Sequence, residues 1–163
     1  MYRGLLVILF FFSFCGYGQT RSIEEGLKRP LEVVHLKLKR ERLTEFPLEI
    51  IQFKNLEILD LSNNKLESIP KEISKLKKLK RVILSKNNLV DFPLVFLQMN
   101  ELVYIDLWDN YIENLPAEIK QKENLQFLDI RGVLLKPDIY SELSFWFDQD
   151  ILKISPPCDC MYK

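Results

Sequence analysis

The 163 residues suffice for one modest domain with a core of its own. Lys plus Arg number 23 and Asp plus Glu number 23, so the net charge of +0 points to neither nucleic acid nor a membrane surface as partner. There is one histidine, no glycine-rich phosphate loop and no HExxH, and no nucleophile stands with a base beside it, so the chain is expected not to be an enzyme and to need no cofactor or metal.

Residues 1–18 read as a secretory signal. Arg3 supplies the positive end, the run from Leu5 to Phe14 is apolar except for Ser13, and Gly16-x-Gly18 offers a small-x-small cleavage site before Gln19. The run is short for a bilayer span. Cys15 raises a lipid anchor as an alternative, but Phe14 stands where a small residue is wanted. The expectation is therefore an exported protein, secreted, periplasmic or on the cell surface. No Asn-x-Ser/Thr sequon occurs. Within 19–32, Ser22-x-x-Glu25 reads as a capping box opening a short helix, with Ile23 and Leu27 on one side, that closes the N-terminal end of the core.

From Val33 the chain repeats itself. Pro47, Pro70, Pro93 and Pro116 are 23 residues apart, as are Asn64, Asn87 and Asn110, and as are Val33, Leu56, Leu79, Leu102 and Leu125. The second unit shows the pattern in full: Leu56, Leu59, Leu61, Asn64, Leu66, Ile69, Pro70, Ile73 and Leu76. Leu59-x-Leu61 places two side chains on one face of a short strand, and Ile73-x-x-Leu76 suits a helical or 3₁₀ turn on a return limb. One unit cannot bury both limbs, whereas stacked units share a continuous core. The expected α/β architecture is a right-handed horseshoe: short parallel strands on the concave face, turns on the convex face, and helical caps at both ends. The asparagine is placed to satisfy backbone groups buried at the turn, and the proline to fix φ at the start of the return limb.

The repeat ends at Leu135-Lys136-Pro137. Pro137 suits a first helical position, and Ile139, Leu143, Trp146 and Phe147 form an amphipathic stripe that lids the core. Ile151 to Ile154 is expected to add an edge strand, stopped by Pro156-Pro157. The tail carries Cys158-x-Cys160, for which intermolecular disulfides, a metal contact or idle thiols all remain open.

Residues 33–135 closely resemble the leucine-rich repeat family in its 23-residue form, with the L-P-x-x-I return limb in units starting at 33, 56, 79, 102 and 125. The first unit departs from it with Glu41 at the asparagine position, and the fifth with Val133 there and Asp138 in place of an apolar residue. The segment SIEEGLKRPLEVVHLKLK is similar to the N-terminal cap of exported bacterial members, and the C-x-C resembles the opening of a cysteine-rich C-terminal cap whose other cysteines are missing.

The candidate site is the concave face, where the outward strand positions are polarised along the stack. The first strand contributes His35, Lys37, Lys39 and Arg40; the fourth and fifth contribute Tyr104, Asp106, Trp108, Asp109, Phe127, Asp129 and Arg131, with Tyr111 just beyond. Solvent-facing aromatics mark contact sites and anchor interfaces. Asp106 and Asp129 are expected side by side, with Asp60 in the same column. Such carboxylates suit a cationic partner side chain better than Ca²⁺, which wants further oxygen ligands. The expected function is binding of a protein or peptide by a monomer, with no nucleic acid and no membrane insertion. A self-associating envelope protein and a carbohydrate-binding surface protein are the alternatives. Lys71, Lys75, Lys77, Lys78 and Lys80 read as a solvated face.

Overall fold

The computed structural model describes residues 18–133, 135, 137–148 and 150–154. The apolar run with Cys15 and the tail with Cys158 and Cys160 lie outside them.

The 23-residue spacing becomes a sheet by simple translation. The strands β2 (His35–Lys37), β3 (Ile58–Asp60), β4 (Arg81–Ile83), β5 (Tyr104–Asp106) and β6 (Phe127–Asp129) pair in parallel and in chain order. Their register puts His35, Ile58, Arg81, Tyr104 and Phe127 in one row, and Lys37, Asp60, Ile83, Asp106 and Asp129 in a second. The residue between these rows points inward, so Leu36, Leu59, Val82, Ile105 and Leu128 are buried to 1% exposure or less. Two further strands extend the sheet to seven: β1 (Gln19–Thr20) pairs with β2, and β7 (Leu152–Lys153) with β6. The edge strand expected after Ile151 is β7. β1 falls in the segment expected only to be helical; its two residues carry no alternation from which a strand can be read.

On the return limb, prolines 47, 70, 93 and 116 stand at φ between −68° and −74°, and each carbonyl accepts the N–H three residues on. The resulting 3₁₀ turns cover Leu48–Gln52, Lys71–Lys75, Leu94–Gln98 and Ala117–Gln121. Ile50, Ile73, Phe96 and Ile119 point from them into the core at 0% exposure. The expected limbs and shared core are both present.

The asparagines link one unit to the next. Asn87 Oδ1 accepts the Leu66 N–H at 3.0 Å, and its Nδ2 donates to the Leu61 and Leu84 carbonyls at 3.1 and 2.8 Å. Asn64 and Asn110 make the equivalent contacts, so the Leu61 carbonyl receives both Asn64 and Asn87, and the Leu84 carbonyl both Asn87 and Asn110. All three amides are buried.

At the N-terminal cap, α1 (Ile23–Leu27) is capped by Ser22 Oγ, which accepts the Glu25 N–H at 3.4 Å. The reciprocal half of the expected capping box is replaced, because the Ser22 N–H goes to Thr20 Oγ1 instead of the Glu25 carboxylate. Gly26 lets this helix press on the first repeat: a Cβ there would lie 2.9 Å from Phe53 Cζ. Gly18, expected as the last residue of a cleaved signal, belongs to the same cap. Its φ is +93°, and its carbonyl accepts the Val34 and His35 N–H groups at 2.9 and 2.7 Å. At the other end α2 (Pro137–Trp146) buries Leu143, with Ile139, Trp146 and Phe147 packed against the core. No helix among the described residues is long and apolar enough to cross a membrane.

One core position breaks the apolar pattern. Phe53, Leu76 and Met99 end the return limbs of the first three units, and Lys122 takes that place in the fourth. Its ammonium donates to the Met99 carbonyl at 2.8 Å, and burial pulls its pKa below the ordinary 10.5.

Two stability outcomes follow. Asn87→Ala leaves the buried Leu66 N–H without its acceptor and removes two further bonds, so denaturant melts should show a loss of about 2–4 kcal/mol. Lys122→Met should stabilise by about 1 kcal/mol at neutral pH, because a costly buried charge is removed while the Met99 carbonyl keeps the Leu102 N–H. The lysine's folded pKa lies below its unfolded one, so the parent gains stability as pH rises through that window; the margin between the two proteins should shrink in strongly alkaline buffer.

Candidate interaction surface

Strand geometry first decides which side chains can meet a partner. The parallel ladder continues past each short strand: the Arg40, Asn63, Lys86 and Asp109 N–H groups donate to the Ser62, Ser85, Trp108 and Arg131 carbonyls. The same residues, with Gly132, have φ between 58° and 72°, the left-handed region. Arg40 and Asp109, expected as outward strand residues, are thus corner residues that form the rim of the sheet. Glycine at 132 is the one signal in the sequence for this corner; the other units place Arg, Asn, Lys and Asp there.

Three side chains form a stack across β4, β5 and β6. The Arg81 guanidinium carbon lies 4.2 Å from the centroid of the Tyr104 ring, whose other neighbour, Phe127, is stacked at 4.2 Å with 6° between planes. The register makes this possible by holding all three in one row. Tyr104 and Phe127 are half-buried, and the faces that pack together are unavailable to a ligand. Trp108 is 39% exposed, with Lys86 Nζ 4.6 Å from its centroid. Tyr111 is 57% exposed on the rim, where Lys86, Asn88, Asp109, Tyr111 and Gly132 line a hollow of about 250 Å³. Of the expected aromatic group, Tyr104 and Phe127 are in contact, while Trp108 meets Lys86 and Tyr111 lies on the rim. Arg81 and Lys86, which pack on Tyr104 and Trp108, were not among the expected site residues; their signal is a cation about one repeat before an aromatic residue, Arg81 before Tyr104 in the same phase and Lys86 before Trp108 one residue short of it.

The carboxylates are less available than their number suggests. Asp106 and Asp129 are adjacent in register as expected. Asp129, however, is only 4% exposed, and Arg131 clamps it: Nε reaches Oδ1 at 3.0 Å, and a terminal guanidinium nitrogen reaches Oδ2 at 2.6 Å. The side-chain hydrogen bond and charge of Asp129 in turn raise the pKa of Arg131. Asp129 was expected to offer its charge to a partner; it is neutralised within its own strand end, and the same fork occupies Arg131. Asp106 accepts the Trp108 N–H at 3.1 Å and the Ser85 hydroxyl at 2.9 Å. Burial pushes its carboxyl above the ordinary 3.8 despite those two bonds, and the charge of Asp129 adds to the rise. Asp60 likewise accepts the Ser62 N–H at 2.9 Å.

At the other end of the face, His35, Lys37, Lys39 and Arg40 are all exposed. Among the described residues the ion pairs are Arg29–Glu32, Lys80–Glu57 and Arg131–Asp129, so none of Lys37, Lys39 and Arg40 is paired, and neither is Arg81 or Lys86. Also among the described residues, no three His, Cys, Asp or Glu side chains converge as a metal site would require.

The raised pKa of Asp106 has a checkable sign. A carboxyl that binds its proton more tightly folded than unfolded contributes less to stability as pH climbs from its unfolded pKa through the folded one. Asn at 106 can keep both hydrogen bonds without the charge. The difference in melting temperature between Asp106→Asn and the parent should therefore move in favour of the variant as pH rises above 3.8, and a difference that is flat with pH would contradict the assigned burial.

The comparisons with known proteins match this geometry. The leucine rich repeat family model matches residues 32–89. A leucine-rich repeat protein from Leptospira interrogans is similar in structure with a TM-score of 0.69 and 30% identity, over 84% of this chain and 34% of that one. Internalin C2 from Listeria monocytogenes gives a TM-score of 0.63 at 16% identity, over 77% of this chain and 53% of its own. Internalin F from the same species gives 0.59 at 14%, over 75% and 36%. The two internalins show likeness of fold alone, and the chain spans only about a third of the Leptospira protein. No curated protein matches the chain. The 23-residue units, the parallel sheet in chain order and the family match over residues 32–89 together give this chain the leucine-rich repeat fold.

Proposed function

We propose that the protein is an exported, non-enzymatic binding module that holds a protein or peptide on its concave sheet. The carrying observation is the Arg81–Tyr104–Phe127 stack, with Trp108 exposed four residues beyond Tyr104, on leucine-rich repeats, which generally serve protein interaction. Tyr104, Trp108 and Phe127 are the anchors, with Tyr111 and Asp109 at the rim. The stacking fixes side chains that would otherwise lose entropy on binding, so more of the contact energy reaches the complex. The working form is a monomer.

Two other readings are weaker on physical grounds. Carbohydrate binding by aromatic platforms needs open ring faces, and Tyr104 has a guanidinium on one side and a ring on the other. Self-association through sheet edges would use β1 or β7, each two residues long and a poor template. Export rests on the composition of residues 1–18, and Gly18 adds a condition: processing that leaves the cap intact keeps Gly18 on the folded part, since its carbonyl serves two N–H groups.

The test is capture from an envelope extract by the parent and by a Trp108→Ala, Phe127→Ala double variant with matched circular dichroism and melting. Proteins retained by the parent should be lost, or held at least about tenfold more weakly, by the variant. Equal retention by both would remove the concave face from the function.

A further inference from the structure

We infer that the bound segment is acidic: an extended stretch of another protein that sets carboxylates on the exposed cations at β2 and an apolar side chain against the edge of the Tyr104–Phe127 pair. This rests on the concave-face reading above and specifies its partner.

The argument is about which charges are left over. A residue tally makes the β5–β6 end acidic, yet Asp129 is consumed by Arg131, and Asp60 and Asp106 each accept a backbone N–H, Asp106 a hydroxyl as well. Lys37, Lys39, Arg40, Arg81 and Lys86 form no ion pair among the described residues. Lys37 sits in register beside Asp60 without bonding to it. The available charge along β2 to β4 is therefore positive.

The aromatic stack points the same way. An aromatic ring is electron-rich on its face and relatively positive at its edge. Here the Tyr104 faces are covered by Arg81 and Phe127, so a ligand meets ring edges and the free N–H edge of a guanidinium. Both favour carboxylate or carbonyl oxygen over a cation. A uniform polyanion fits less well, because the carboxylates of Asp60 and Asp106, in the row of Lys37, and of Asp109 at the rim would repel it. A segment that is acidic at one end and apolar at the other matches the face end to end.

The spacing is also defined. From β2 to β5 is three strand-to-strand steps, about 14 Å, which an extended peptide spans with about four residues. The acidic group and the apolar anchor of the partner should be separated by that length.

Short fluorescent peptides provide the probe: an acidic cluster, a neutral spacer of varied length and a Leu-Phe anchor, beside versions with lysine for the acids, with serine for the anchor, and polyglutamate. Binding to the full chain is read by anisotropy at low and high salt. The acidic-plus-apolar peptide should bind best near the four-residue spacer and weaken with salt. Lys37→Glu with Lys39→Glu should weaken it about tenfold or more, with melting checked beside a Lys37→Gln, Lys39→Gln variant because a carboxylate at position 37 would face Asp60 in register. No binding by any composite peptide, equal binding of the lysine version, equal binding of polyglutamate, or indifference to the charge reversal overturns the inference. Concentration-dependent self-association abolished by the charge reversal also overturns it, in favour of a second copy as occupant. Partners captured from extract keep the two proposals apart. Capture that needs Trp108 and Phe127 but ignores Lys37→Glu with Lys39→Glu rejects the acidic segment and keeps the face, and capture that ignores all four substitutions rejects both.

Discussion

Everything on the concave side depends on three buried side-chain amides. A chain that leaves a strand and doubles back toward its own core must bury peptide groups that have no partner in either limb. Asn64, Asn87 and Asn110 supply one acceptor and two donors at that point. The carbonyls of Leu61 and Leu84 are each shared by two successive asparagines, so a unit's corner is completed by the next unit. Cooperativity of the stack is thus built into hydrogen bonds as well as apolar contact. The left-handed corner residues follow from the same constraint, since the chain can reach the asparagine only by turning sharply after the strand.

Once the corner is fixed, register is fixed, and register turns a one-dimensional repeat into rows of neighbours. Residues 23 apart in sequence become adjacent in space, which is how Arg81, Tyr104 and Phe127 form one stack. The contacts along such a row are individually small, about 0.5–1.5 kcal/mol for an aromatic pair and somewhat less for an exposed cation–π contact. Their effect is to hold three long side chains in one arrangement before any ligand arrives.

The repeat, its limbs, the parallel sheet, both caps and the role of the asparagines were legible because each is a local pattern repeated in phase. The pairing of Tyr104 with Phe127 was legible for the same reason. What escaped was pairwise and non-periodic. Arg131 lies two residues from Asp129, but only the backbone turn between them brings the guanidinium back onto the carboxylate. Lys122 stands at an apolar landmark, and nothing in its composition tells whether the amine escapes to water or folds onto the Met99 carbonyl. β1 is too short to carry a period, and Thr20 captured the Ser22 N–H that a capping box would assign to Glu25.

The electrostatic character of the face illustrates why such pairs outweigh composition. Counted by residue, its two ends are basic and acidic, and a partner of either sign would find a place. Counted by partners, Asp129 is held in a fork salt bridge and Asp60 and Asp106 accept hydrogen bonds from their own chain, while the lysines at the basic end have no ion pair among the described residues. A carboxylate already holding a guanidinium bidentately gains little from a second cation, whereas an exposed lysine with no partner has its full interaction to offer. Selectivity between partners then comes from the face's leftover charge and the fixed distance to the aromatic stack. Those two quantities, unlike the count of acids and bases, are set by the fold.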